Sequence, residues 1–161
     1  KEGVVDAIIV APPVDFEGKK MGFNILSRAG DILRVPYNGL GTSVEKITER
    51  PDGVKRVIRA IVRANGFIRR NREGAIQVLV NWTKTKPEFA EAAYDSTVGV
   101  FSQDGTIPED GLRLVIENFR KSMNLSRQVS LSDVSDSTLL FQVQRDLGIK
   151  NENLRESDSA E

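Results

Sequence analysis

The chain has 161 residues and 17.8 kDa, the size of one ordinary domain or of part of a larger two-lobed protein. Counting its 13 glycines with the 39% apolar residues places it in the usual globular band of roughly 45–50%, which excludes wholesale disorder. Its 23 basic and 23 acidic residues cancel, so no global field recruits nucleic acid or an anionic membrane, and any electrostatic function must be local.

There is no cysteine and no histidine. Disulfide frameworks, thiolate nucleophiles, Cys/His zinc sites and Ser-His-Asp triads are therefore excluded, leaving carboxylate or lysine chemistry. No metal site or cofactor motif is recognised. The apolar run from Val4 to Pro13 is interrupted by Asp6 and too short to span a bilayer, and no basic-then-apolar leader precedes a small-residue cleavage site. The chain as given is expected to be soluble.

In chain order, Gly3 to Ala11 is β-branched and almost continuously apolar, which predicts a strand buried on both faces, stopped by Pro12-Pro13. Val14 to Met21 predicts a short helix: Lys19 and Lys20 suit its last turn and Gly22 stands just past its end. Phe23 to Ser27 alternates as a second strand, and strand, helix, strand is a βαβ-like signature. A turn follows around Gly30-Asp31. Leu33 to Thr42 is predicted to be extended, but Pro36, Gly39 and Gly41 make it irregular or place it at an edge.

From there the pattern is helical. Ser43 or Thr42 caps a helix ending near Arg50, and Pro51 suits the first position of the next. In Asp52 to Arg70, Val54, Val57, Ile58, Ile61, Ala64 and Ile68 step by three and four and predict one buried stripe. Further helices are predicted at Glu73 to Trp82, from Pro87, from Pro108, and at Ser137 to Leu147, the last capped by Ser135 or Asp136 and stopped by Gly148. Residues 151–161 are polar and predicted to be a disordered tail. The fold class expected is α/β: a small mixed sheet with several C-terminal helices. Two or three strands are few for so many helices, so part of the sheet is expected to lie outside this chain.

Lys55, Arg59 and Arg63 fall on one ridge of the long helix, where a nucleic-acid contact competes with an ordinary solvated face. Zero net charge and the lack of interleaved aromatics favour the solvated face, and no nucleic-acid partner is expected. The acidic pairs Glu49 with Asp52 and Glu109 with Asp110 sit where helix starts favour negative charge. The stretch Gly39 to Ser43 lacks the lysine and spacing of a phosphate-binding loop. Two places break local rules more tellingly. Pro12 and Pro13 end an apolar strand at a sheet end, where α/β folds keep ligand crevices. Tyr37, Asn38 and Gly39 offer stacking, hydrogen bonding and a flexible backbone. These five are the candidate ligand-binding residues, and no catalytic residue is assigned.

The ordered run of segments carries a family resemblance. Gly3-Val4-Val5-Asp6-Ala7 with Pro12-Pro13, Met21-Gly22-Phe23, Arg28-Ala29-Gly30-Asp31, Pro36-Tyr37-Asn38-Gly39-Leu40, the Pro51 to Ile68 helix and Asn71-Arg72-Glu73-Gly74-Ala75 succeed one another in a recognisable order. With Phe101-Ser102-Gln103-Asp104-Gly105-Thr106-Ile107 and the closing Asp136 to Lys150 stretch, the chain resembles the C-terminal half of the solute-binding proteins of ABC importers. The branch is that for aliphatic sulfonates, nitrate, taurine and thiamine-pyrimidine precursors.

The resemblance implies part of a type II periplasmic-binding-protein fold, in which two lobes close on a small solute and present it to an ABC permease. Residues 1–150 would form the end of one lobe, a hinge crossing and the remainder of the other. It also implies a periplasmic or extracellular, membrane-associated location, with the export signal and an N-terminal half outside this chain. The fungal pyrimidine-precursor synthase of the same superfamily is an enzyme alternative, but it relies on histidine and a cysteine-rich site that this chain lacks. A non-transport interaction module with a basic helix is the other alternative, and exposed sheet edges would allow a homo-oligomer of the fragment.

Overall fold

The computed structural model describes residues 3–150, so the tail predicted at residues 151–161 lies outside the described residues. The helices are α1 (Val14–Lys20), α2 (Ala29–Ile32), α3 (Val44–Glu49), α4 (Pro51–Arg70), α5 (Arg72–Thr83), α6 (Pro87–Thr97), α7 (Glu109–Ser122) and α8 (Thr138–Asp146), with 3₁₀ turns at Val98–Val100 and Leu131–Asp133.

No described residue is in a strand, so the predicted α/β class with a mixed sheet, and with it the type II binding-protein fold, is corrected to an all-helical one. The physical reason lies in the three predicted extended segments. Residues 3–11, 23–27 and 33–42 carry no regular structure and no ladder partner. A strand exists only by exchanging main-chain hydrogen bonds with a neighbour, and apolar β-branched residues do not supply that neighbour. Accordingly Val4, Ile8 and Ile9, predicted to be buried on both faces, stand exposed.

The helix ends follow local chemistry. Gly22 (φ +84°) and Gly148 (φ +66°) take up the left-handed backbone just past α1 and α8. Ser43 caps α3 by accepting from the Lys46 amide at 3.3 Å, and Asp136 accepts from the Thr138 amide at 2.8 Å at the start of α8. Asn71 caps α5 by accepting from Gly74 N at 2.9 Å. Pro51 and Pro87 occupy the first positions of α4 and α6.

The chain divides into two compact units. The first comprises Lys1–Arg28 and Phe67–Phe101, and its core is small: Ala75 of α5 with Ala90 and Tyr94 of α6. The Tyr94 hydroxyl donates to the Ile68 carbonyl at 2.6 Å, and Arg69 donates to the Phe101 carbonyl at 2.8 Å. Phe16 of α1 meets Phe89 of α6 edge-on at 5.8 Å, with Lys20 about equally near both rings (5.1 and 5.0 Å) and bridged to Glu88 at 2.8 Å.

The second unit comprises Ala29–Gly66 and Ser102–Glu161. It buries Val62 and Gly66 of α4, Gly111 of α7, and Val143 and Gln144 of α8. The buried line of α4 is thus not the predicted stripe: Val57 and Ile61 are 47% and 41% exposed. Gly111 is where two backbones meet, because a Cβ there would collide with the Arg34 carbonyl. At Gly105 (φ +89°) a Cβ would press on Leu140 and Val62 at 3.0 Å each.

Candidate functional site

Pro12 and Pro13 are joined by a cis peptide bond, half-buried, and lie immediately before α1 in the first unit. Their neighbourhood is organised by main-chain bonds: Val14 N donates to the Ala11 carbonyl at 3.0 Å, and Phe16 N to the Pro13 carbonyl at 3.0 Å. The shallow depression in this unit lies at the other end of α1, lined by Lys19, Gly22, Phe23, Asn24 and Ile25, and includes neither proline.

Tyr37, Asn38 and Gly39 belong to the second unit, in the extended segment after α2. The Tyr37 ring is 89% exposed, Asn38 and Gly39 are exposed, and a Cβ at Gly39 would meet nothing within 4 Å. Neither Tyr37 nor Asn38 has a hydrogen-bond partner among the described residues. The five candidate residues therefore form two groups, one in each unit.

A more heavily built constellation is the turn after Phe101. One carboxylate oxygen of Asp104 accepts from Ser102 Oγ at 3.0 Å, Thr106 N at 2.9 Å and Thr106 Oγ1 at 2.7 Å. Partial burial pushes the Asp104 carboxyl up, but the donors from Thr106 and Ser102 outweigh it and hold the group below its ordinary value. Asn65 of α4 donates to the Ser102 carbonyl at 3.1 Å, and Gln144 of α8 donates to the Asp104 carbonyl at 2.8 Å. One Asp104 oxygen is engaged three times within its own turn, so the residue acts as a fastener of that turn. Sequence reasoning identified the turn but not Gln144, because an amide at a helical position reads as solvent-facing.

The cationic ridge is partly engaged in ion pairs. Lys55 pairs with Asp52 at 2.8 Å and Arg59 with Asp146 at 2.5 Å, so two of the three ridge cations serve the fold. Arg56 and Arg63 are exposed and make no ion pair among the described residues. Beside them lies an open, nearly flat patch on α4 lined by Gly53, Arg56, Val57, Ala60, Ile61 and Ala64. Glu109, one of the acidic residues at the start of α7, pairs with Arg113 at 3.6 Å.

Among the described residues no cluster of carboxylates could hold a metal ion, and no helix is long and apolar enough to cross a membrane. No family model, curated protein or solved structure matches the chain.

Proposed function

We propose that this chain is the solute-capturing component of an ABC importer, acting outside the cytoplasm and handing a small solute to a membrane permease without transforming it. The solute class is a sulfonate, nitrate or a pyrimidine-like heterocycle. Tyr37, Asn38 and Gly39, all in the second unit, are the residues proposed to edge its site. An exposed tyrosine ring beside an exposed amide suits a flat or anionic solute, the ring by stacking and the amide by hydrogen bonding.

The observation that carries the reading is the join between two of the stretches on which the resemblance rests. The Phe101 to Ile107 turn and the Asp136 to Lys150 stretch are fastened to each other by Gln144 on the Asp104 carbonyl and by Leu140 against Gly105. Two stretches on which the resemblance rests thus also hold this unit together. Thermal-shift and calorimetric titration of the chain with methanesulfonate, taurine, nitrate and an aminopyrimidine tests it. Saturable stabilisation by one class, with the solute recovered unchanged, supports capture; conversion of the solute, or no stabilisation by any class, refutes it.

A further inference from the structure

The outward face of α4 departs from what a solvated helix face requires. Gly53, Val57, Ala60, Ile61 and Ala64 step by three and four residues, so they line one face over about 17 Å at 1.5 Å per residue. Val57 and Ile61 are 47% and 41% exposed, while Val62 and Gly66, on a different face, supply the buried contacts of the second unit. Small residues alternate with the two partly exposed aliphatics along these three turns, so the apolar positions form one continuous line.

One edge of that seam is charged in a regular way. Arg56 and Arg63 stand seven residues apart, two helical turns, and therefore flank the seam on the same side. Asp52 is bridged by Lys55, with Arg56 acting on it only at longer range, and Asp146 is bridged by Arg59. The three small residues let another backbone approach closely, and Val57 and Ile61 provide side chains for it to pack against.

We infer that this face of α4 docks an amphipathic helix of a protein partner, one whose apolar stripe lies along the Gly53–Ala64 seam and whose carboxylates, spaced seven residues apart, pair with Arg56 and Arg63. A second copy of α4 is a poor occupant: it brings the same arginines, and its one acidic residue, Asp52, is already paired. A nucleic acid would use the arginines but leave the seam bare, and no aromatic residue is interleaved for stacking. A membrane surface would call for a broad band of bulky anchors such as Trp, Phe or Leu, where this face sets Val57 and Ile61 among a glycine and two alanines, with Phe67 one turn further on. A helix laid along this face satisfies both the seam and its charged edge.

The test uses the full chain and a fluorescent designed peptide of about 18 residues, five helical turns, with leucine and alanine on one face and glutamates at heptad spacing on its flank. Saturable anisotropy is expected, weakened about tenfold when the peptide's glutamates are replaced by glutamine, and weakened further by added salt. Arg56→Glu with Arg63→Glu is expected to lose the glutamate peptide and to gain a lysine-bearing version, and Ile61→Asp to lose both, with unchanged circular dichroism in each. Equal binding of the glutamate and glutamine peptides, or indifference to the paired arginine reversal, overturns the inference. So does preferential binding to phosphatidylserine vesicles or single-stranded RNA, or burial of the face in a self-dimer by sedimentation.

Discussion

Gln144 has no exposed surface and donates its side-chain amide to the main-chain carbonyl of Asp104 at 2.8 Å, forty residues earlier in the chain. The bond ties α8 to the turn that Asp104, Ser102 and Thr106 build, and Asn65 ties α4 to the same turn through the Ser102 carbonyl. A buried polar group of this kind stabilises little in absolute terms, yet removing its partner leaves an orphan that is expensive to bury.

Gln144→Leu keeps the volume roughly constant and leaves the Asp104 carbonyl without this donor. It is expected to destabilise the chain by about 2 kcal/mol, from the range for an unsatisfied buried group. A drop in the urea midpoint together with faster amide exchange at Gly105 and Thr106 is the expected result, and an unchanged midpoint would refute the fastening role.

Gly111→Ala pushes a methyl group into the Arg34 carbonyl, so α7 and the extended segment after α2 must separate. A loss of about 1–3 kcal/mol is expected, as for other overpacked contacts. Because the displaced residue is an arginine, limited trypsin digestion is the direct readout: cleavage after Arg34 should accelerate in the variant. Gly39→Ala, where a Cβ meets nothing, should leave digestion unaltered.

The Glu117 carboxylate accepts two bonds from Arg120 at 2.9 Å, and Lys121 lies at 3.4 Å. The Arg120 hydrogen bonds, aided by Lys121, lower its pKa from 4.5 to about 2. A depressed folded-state pKa means that the stabilisation is complete above about pH 4.5 and is lost as pH falls towards 2. Arg120 also donates to the Leu125 carbonyl at 3.3 Å, so the acid loss should appear first at residues 120–125. Glu117→Gln should flatten the acid limb of a circular-dichroism titration and lower the neutral midpoint by the same solvent-screened amount that the wild type loses in acid.

In the first unit, Tyr94→Phe removes a 2.6 Å bond to the Ile68 carbonyl from a side chain only 6% exposed, and a loss of about 1 kcal/mol is expected. Arg72→Ala breaks an exposed pair with Asp95 (2.8 Å) and should cost well under that. Chemical denaturation of both variants checks the order, and the reverse ranking would contradict it.

The legible parts of the fold were those set by local chemistry. Pro51, Pro87, Gly22 and Gly148 punctuate helices because their backbone constraints act within a few residues. Which face of α4 turns inward was not legible, since the line through Val62 and Gly66 depends on a glycine whose value is close approach and not hydrophobicity. Val4 to Val10 advertise extended backbone, but whether a ladder forms is decided by a distant partner that no local pattern encodes. Tyr37 and Asn38 were recognisable as an aromatic and an amide in an irregular extended stretch, whereas the burial of Gln144 was not, because burial of an amide is chosen by the carbonyl it meets.

The capture reading is tested most directly by titrating the chain and its Tyr37→Ala/Asn38→Ala variant with methanesulfonate, taurine, nitrate and an aminopyrimidine in a calorimeter. Both side chains are exposed and unpartnered among the described residues, so the variant should keep its unfolding midpoint. The expected result is saturable heat with one solute class, weakened about tenfold or more in the variant, and a solute recovered chemically intact. Equal binding by both proteins, no heat with any of the four, or a transformed solute would contradict it.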